Sequence, residues 1–389
     1  MWHNPLILAL LGLAVFGLLT STVFAGMVLA GARKHLREPA PTAGFTPPLS
    51  LLKPLHGMEP DLEAHLATFF EQDYPEFEIL FCAREADDPG IAAARRVADR
   101  YPHVPTRFFS TGEPKYINAK VHSMEVMAEA ARHEILVISD SDVRVAPGYL
   151  RAVAAPFEDT KVGAMTCLYR GIAAQGGLWA RLEGVGMSVE MTAGVLVANM
   201  LEGMQFVLGP TMAVRRECVT AIGGMGVFGD FCSDDFLLGN LVYRQGRRVV
   251  LSRHVIDHLI LNVSFLDSLK HQVRWMKSTR FSRPKGHFGT SLTFSMPFGL
   301  LGLGAAWGLG YPVVGAALLG WSVVTRWAIG WAAGRLVVHD PSWFGVYVLF
   351  PLRDLMGFGF WAASYVSNRI LWRGRVYELL AEGRMRAVR

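Results

Sequence analysis

Residues 135–145 read ILVISDSDVRV, an apolar run that ends in two aspartates, Asp140 and Asp142, separated by one serine. Carboxylates crowded together repel one another, so a positive partner is expected beside them. Side chains alternate along a strand, so a D-x-D at its tip turns both carboxylates to one side, where they can hold a hard divalent cation through oxygen. Magnesium or manganese held this way would grip the diphosphate of a nucleotide sugar and neutralise the charge that builds as the diphosphate leaves. The plainer alternative is a turn capped by Asp140. A second pair, Asp234 and Asp235, opens the helical pattern CSDDFLLGN. Aspartate is favoured at an N-cap and in the first turn, so one of the two is expected to cap. The other is placed to act as a general base toward an acceptor hydroxyl. HQVRW at 271–275 adds Arg274, a planar fork suited to phosphate, and Trp275, a broad face suited to a ring or to a membrane interface. A basic amphipathic helix lying on lipid headgroups fits the same five residues.

These groups need elements to carry them. LSLLKPL, FEILFCA, TRFFS and EILVISD read as strands, with DLEAHLATFFEQ, GIAAARRVADRY and AKVHSMEVMAEAAR as helices between them. Such alternation implies an α/β domain with a largely parallel sheet and helices on both faces. Ligands of these sheets bind beyond the carboxyl ends of the strands, where Asp140, Asp142, Asp87 and Asp88 fall. VGAMTCLYRG and FVLGPTMAVRR are expected to add strands, and DDFLLGNLVYRQG a helix closed by Gly246.

The chain has 389 residues, 51% of them hydrophobic, with a formal charge of +5. That points to an enzyme-sized domain joined to membrane segments. Residues 5–32 are long enough to cross a bilayer and are followed at once by RKHLR, which predicts an uncleaved anchor (1–37) with the next domain in the cytoplasm. A Pro-rich linker (38–48), a catalytic domain (49–261) and an amphipathic interfacial helix (262–288) are expected to follow. Membrane segments (289–368) and a basic cytosolic tail (369–389) would complete the chain. The first C-terminal apolar stretch, 291–336, suits two spans turning near Gly310, Tyr311 and Pro312. The second, 342–366, carries Arg353 and Asp354 at its middle, which is expensive in lipid. The four cysteines lie far apart and form no C-x-x-C pair, so neither a zinc site nor a disulfide framework is expected. There is no basic stripe or recognition motif for nucleic acid.

Taken together, these residues resemble the family-2-type glycosyltransferases of the glycosyltransferase-A fold, and more narrowly the ceramide glucosyltransferase family. The most specific part is SLLKPLHGMEPDLEAHLATFFEQDYPEFEILFC, with its K-P-L-x-G-x-(D/E)-P opening. DDP at 87–89, INAK at 117–120, DSDVRV at 140–145, DDF at 234–236 and HQVRW follow in the family's order. The resemblance implies roles. Asp88 and Lys120 would face the nucleotide, Asp140 with Asp142 would hold Mg2+ or Mn2+ and the donor, Asp235 would be the general base, and Arg274 and Trp275 would contact the donor. His271 departs from the Gln or Arg that opens the last motif in the family, with Gln272 one place later.

The implied function is inverting transfer of glucose from UDP-glucose to the hydroxyl of ceramide, by a multi-pass protein with a cytoplasmic catalytic domain, as in a bacterial inner membrane. UDP-N-acetylglucosamine transfer to a hopanoid polyol shares the same motifs, and TCLYRG with GGLWARL leans that way. A processive polysaccharide synthase would need a larger membrane channel. A non-catalytic lipid-binding subunit is disfavoured by the intact carboxylates, and a transporter by the long α/β pattern.

Overall fold

The computed structural model describes residues 4–38, 44–174, 176–262, 264–372 and 374–388, so 39–43 of the Pro-rich linker lie outside the described residues. The chain divides into two compact units. One, an α/β unit, comprises Glu38–Tyr169, Glu202–Leu261 and Gly383–Arg389; the other, largely helical, comprises Met1–Arg37, Arg170–Leu201 and Asn262–Glu382.

In the α/β unit, strands β1 (Leu49–Pro54), β2 (Phe77–Ala83), β3 (Thr106–Ser110) and β4 (Ile135–Ile138) alternate with helices Leu62–Phe70, Pro89–Arg100 and Ala119–Ala130. β1 pairs in parallel with β2, Leu49 opposite Phe77, and with β4, Leu49 opposite Ile135. β2 pairs in parallel with β3. β2 and β4 are buried along their whole length, as strands are when helices cover both faces of a parallel sheet, and the one charge in β2, Glu78, is paired with Arg107 at 2.8 Å. β5 (Val143–Arg144), β6 (Val162–Ala173), β7 (Met212–Arg215) and β8 (Arg248–Ile260) complete an eight-stranded sheet in the order β3-β2-β1-β4-β7-β6-β8-β5. β7 runs antiparallel to β4, and β6 to β7. The α/β class is as the sequence predicts, a parallel block with antiparallel strands added beyond β4. FVLGPTMAVRR forms a shorter strand than expected, because Gly209 and Pro210 make a turn and Pro210 has no N–H for a ladder. The helix Asp234–Arg244 ends as expected before Gly246, whose φ of 78° suits glycine.

Among the described residues, three helices are long and apolar enough to cross a membrane: Pro5–Arg37, Leu178–Glu202 and Pro312–Val337. The second, which lies within the stretch expected as catalytic domain, is less apolar than Pro5–Arg37 and carries Glu183 and Glu190. Met296–Gly308 is apolar but shorter, and turns into Pro312–Ile329 through Gly310 at the expected place. Small residues let these helices approach closely. A Cβ on Gly17 would lie 2.2 Å from the Phe298 ring, and one on Gly315 would lie 2.8 Å from the Leu303 carbonyl oxygen. The charges at the middle of the last apolar stretch are neutralised internally. Asp354 Oδ1 accepts from Arg326 at 2.6 Å, while Oδ2 accepts from the Ser295 and Met296 amides at 2.9 and 2.8 Å. Strand Arg369–Trp372 pairs antiparallel with Arg375–Leu379, which the basic composition does not announce. All four cysteines are free thiols; Cys82, Cys167 and Cys218 are buried and Cys232 is half-buried.

Candidate active site

β4 ends at Ile138, and Asp140 and Asp142 sit just past it in the turn toward β5. Strand alternation therefore does not set their directions, as the sequence reading supposed. The turn is instead held from beneath by Lys53 of β1. Lys53 is fully buried, its ammonium 3.7 Å from the centre of the Phe69 ring, and it donates to the Asp140 carbonyl and, at 3.4 Å, to Ser139 Oγ. Burial pushes this amine down to about 7, against the pull of Asp140, Asp142 and Glu59.

The positive partner expected beside the aspartates is Lys120. Its ammonium lies 2.7 Å from Asp140 Oδ1 and 3.5 Å from Asp234 Oδ2. Burial works against its charge, but Asp140 and Asp234 outweigh it and raise its pKa. INAK explains the placement: Asn118 caps its own helix by accepting from the Lys120 amide at 3.2 Å and reaches Asp234 Oδ1 with Nδ2 at 3.3 Å. One motif thus ties both aspartate pairs together.

Ser233, rather than either aspartate, holds the N-cap position of the helix Asp234–Arg244. Both carboxylates fall in its first turn, where the helix dipole favours negative charge. Asp235 Oδ1 accepts from the Phe236 amide at 2.7 Å and Oδ2 from the Gly209 amide at 3.0 Å. Burial, and then Asp234, raise its carboxyl to about 6. Gly209 marks where the two groups converge: a Cβ there would stand 3.4 Å from both Asp140 Oδ2 and Asp235 Oδ2.

Asp142 is only half used. Its Oδ1 is buried without a hydrogen-bond partner, and its Oδ2 stands 3.6 Å from His258 Nε2. An unspent carboxylate oxygen next to Asp140 fits a hard divalent cation. Among the described residues no group of three or more His, Cys, Asp or Glu forms a ready-made metal cage. A cation here would draw its remaining oxygens from substrate and water, as magnesium commonly does. Glu59 adjoins the pair: its Oε1 accepts from Ser141 Oγ at 2.9 Å, and burial followed by Asp142 pushes its carboxyl up to about 7. Asp88 caps Pro89–Arg100. Its carboxylate accepts from the Gly90 amide at 2.7 Å and the Gly57 amide at 2.9 Å, which leaves lone pairs for one more donor.

Asp88, Lys120, Asp140, Asp142 and Asp235 all belong to the α/β unit. Arg274 and Trp275 lie half-buried on the helix Phe265–Ser282 of the helical unit. Lys53 and Glu59 stand in the K-P-L-x-G-x-(D/E)-P opening without an assigned role, and His258 lies in no motif. The signal for the first was a lysine inside an otherwise apolar strand, LSLLKP.

A profile described as Glycosyl transferase family 21 matches residues 13–385. Over 244 residues the chain is 28% identical to ceramide glucosyltransferase 1 of Caenorhabditis elegans, a match covering 62% of this chain and 51% of that protein. Over 122 residues it is 36% identical to the ceramide glucosyltransferase of Komagataella phaffii, covering 30% of this chain and 23% of that one. The chain therefore spans about half the length of the first of these relatives, and less of the second. Among solved structures, the mannosyltransferase PcManGT from Pyrobaculum calidifontis, in complex with GDP-Man and Mn2+, superposes with a TM-score of 0.54 at 18% identity. That superposition covers 91% of this chain and 98% of the other. The chain belongs to glycosyl transferase family 21, a relative of the ceramide glucosyltransferases with a glycosyltransferase-A-like fold.

Proposed function

We propose that this protein is a membrane-bound inverting hexosyltransferase that moves glucose from UDP-glucose to the primary hydroxyl of ceramide. The observation that carries the reading is the convergence of Asp140 and Asp235 on Gly209, with Lys120 between the two aspartate pairs. One carboxylate set suits a sugar diphosphate and the other a proton. Asp235, raised to about 6, is ionised at neutral pH yet basic enough to take the acceptor's proton as its oxygen attacks the anomeric carbon. Such general-base help is worth about 10²–10⁴-fold. A Mg2+ or Mn2+ ion held by Asp140 and Asp142 would offset the charge of the departing diphosphate. Lys120 supplies fixed positive charge toward the phosphates and Asp88 accepts from the nucleotide; the family resemblance adds donor contacts for Arg274 and Trp275. The long apolar helices suit an acceptor that stays in the bilayer, with the α/β unit on the cytoplasmic side.

Donor and acceptor are tested together on the full chain in nanodiscs. UDP-glucose and UDP-N-acetylglucosamine are each offered with ceramide and with a hopanoid polyol, in the presence of Mn2+. Glucosylceramide as the main product supports the proposal. Transfer only of N-acetylglucosamine to the hopanoid replaces its substrates while keeping its chemistry.

A further inference from the structure

HQVRW begins with His271 and Gln272, and each is gripped by a buried charge from a different segment of the helical unit. His271 Nδ1 donates to Glu183 Oε1 at 2.6 Å. The Glu183 carboxylate is fully enclosed and also accepts from Ser268 Oγ at 2.7 Å and from Asn262 Nδ2 at 3.0 and 3.1 Å. Gln272 is buried, and its Oε1 accepts from Arg353 Nη2 at 2.9 Å. Arg353 is itself paired with Glu190 Oε2 at 3.1 Å, and it has room only because residue 186 is glycine: a Cβ there would stand 2.4 Å from Arg353 Nε.

Successive helical residues point about 100° apart. Two charge-assisted bonds at adjacent positions therefore fix the rotation of the helix about its axis, which one bond alone would not. The His271 ring lies 4.4 Å from that of Trp275, one turn on along the same face. Burying lone charges in apolar helices costs several kcal/mol per ion before pairing, so these pairs are poor choices for stability alone. Their effect is orientation.

We infer that Glu183 and Arg353 are positioning residues, which through His271 and Gln272 set the direction in which Arg274 and Trp275 are presented. This rests on the reading of Arg274 as a donor-phosphate ligand. It also accounts for the arginine at the middle of the last apolar stretch and for the departure at position 271.

The test is a double-mutant cycle on the full-length protein in nanodiscs, following steady-state transfer and thermal unfolding. Glu183→Gln is expected to lower kcat about ten- to a hundredfold, the scale of a misplacement near 1 Å, with the acceptor KM unchanged. In an Arg274→Ala background the same substitution is expected to cost no more than about twofold, because the group it orients is gone. Equal losses in both backgrounds, or a wild-type kcat for Glu183→Gln, would overturn the inference. His271→Asn, whose amide nitrogen takes the place of Nδ1 and can still donate to Glu183, is expected to stay within about threefold of wild type while His271→Ala falls at least tenfold. Equal activity of these two variants would also overturn it. Should Arg274→Ala abolish transfer while Glu183→Gln leaves it intact, only the positioning fails; should Arg274→Ala be fully active, the role of Arg274 fails too.

Discussion

Asp235→Asn separates the chemistry of this carboxylate from its effect on the fold. Burial and Asp234 raise the group from 3.8 to about 6. The folded protein therefore keeps the proton at pH values where the unfolded chain has released it. A folded-state pKa above the unfolded one gives stability that is complete below about pH 4 and is lost as pH rises through about 6. The displacement corresponds to at most about 3 kcal/mol. Asparagine has nothing to titrate, so relative to wild type it gains up to that amount between pH 4 and 7. It also loses one acceptor, since the Phe236 and Gly209 amides each bond a carboxylate oxygen and an amide offers a single oxygen. That loss, about 1–2 kcal/mol, is independent of pH and shifts the whole curve without tilting it. The assay is denaturant unfolding of both proteins in detergent from pH 4 to 7.5, read as the slope of their difference. A difference that stays flat across this range would refute the placement of Asp235 in a buried, charge-crowded site. In parallel, the wild-type rate should rise with pH through about 6 and level off, and the variant's kcat should fall about 10²–10⁴-fold.

Gly209→Ala puts a methyl group in van der Waals contact with both Asp140 and Asp235. Transfer should drop at least tenfold with an unfolding midpoint within a few degrees of wild type, checked by kinetics and calorimetry. Lys120→Met leaves Asp140 and Asp234 without their ammonium, and UDP titration should show affinity weaker by about 2 kcal/mol. Asp142→Ala removes the half-used carboxylate, so Mn2+ should no longer stimulate turnover at concentrations that saturate the wild type. Asp354→Ala strands the buried Arg326 guanidinium and two backbone amides in the helical unit. It should cost about 3–5 kcal/mol in unfolding experiments, and an unchanged midpoint would contradict the internal pairing.

The parallel half of the sheet was legible because its signals are local. FEILFCA and TRFFS form β2 and β3 over the residues the pattern marks, and the intervening helices begin and end within a few residues of expectation. The helical unit was less so. Leu178–Glu202 is only moderately apolar and carries Glu183 and Glu190, whose partners Asn262, His271 and Arg353 lie far along the chain. Hydropathy sums residues one at a time and has no means of crediting a charge with a distant partner. The same limit applies at the site. DSD, DDF and INAK are short patterns that reading along the chain can find. That Lys53 lies beneath one and Asn118 braces another follows only from β1 lying beside β4 and from the approach of the Asp234–Arg244 helix.

The most direct test of the account is the fate and configuration of the sugar. Full-length protein in ceramide-containing nanodiscs is given UDP-[14C]glucose with Mn2+, and again after chelation. The lipid product is then extracted for NMR of the anomeric proton. Lipid-phase label in the β configuration, inverted from the α-linked donor and lost on chelation, is the predicted result. Label of retained configuration, or transfer indifferent to chelation, would contradict a single displacement at Asp140, Asp142 and Asp235.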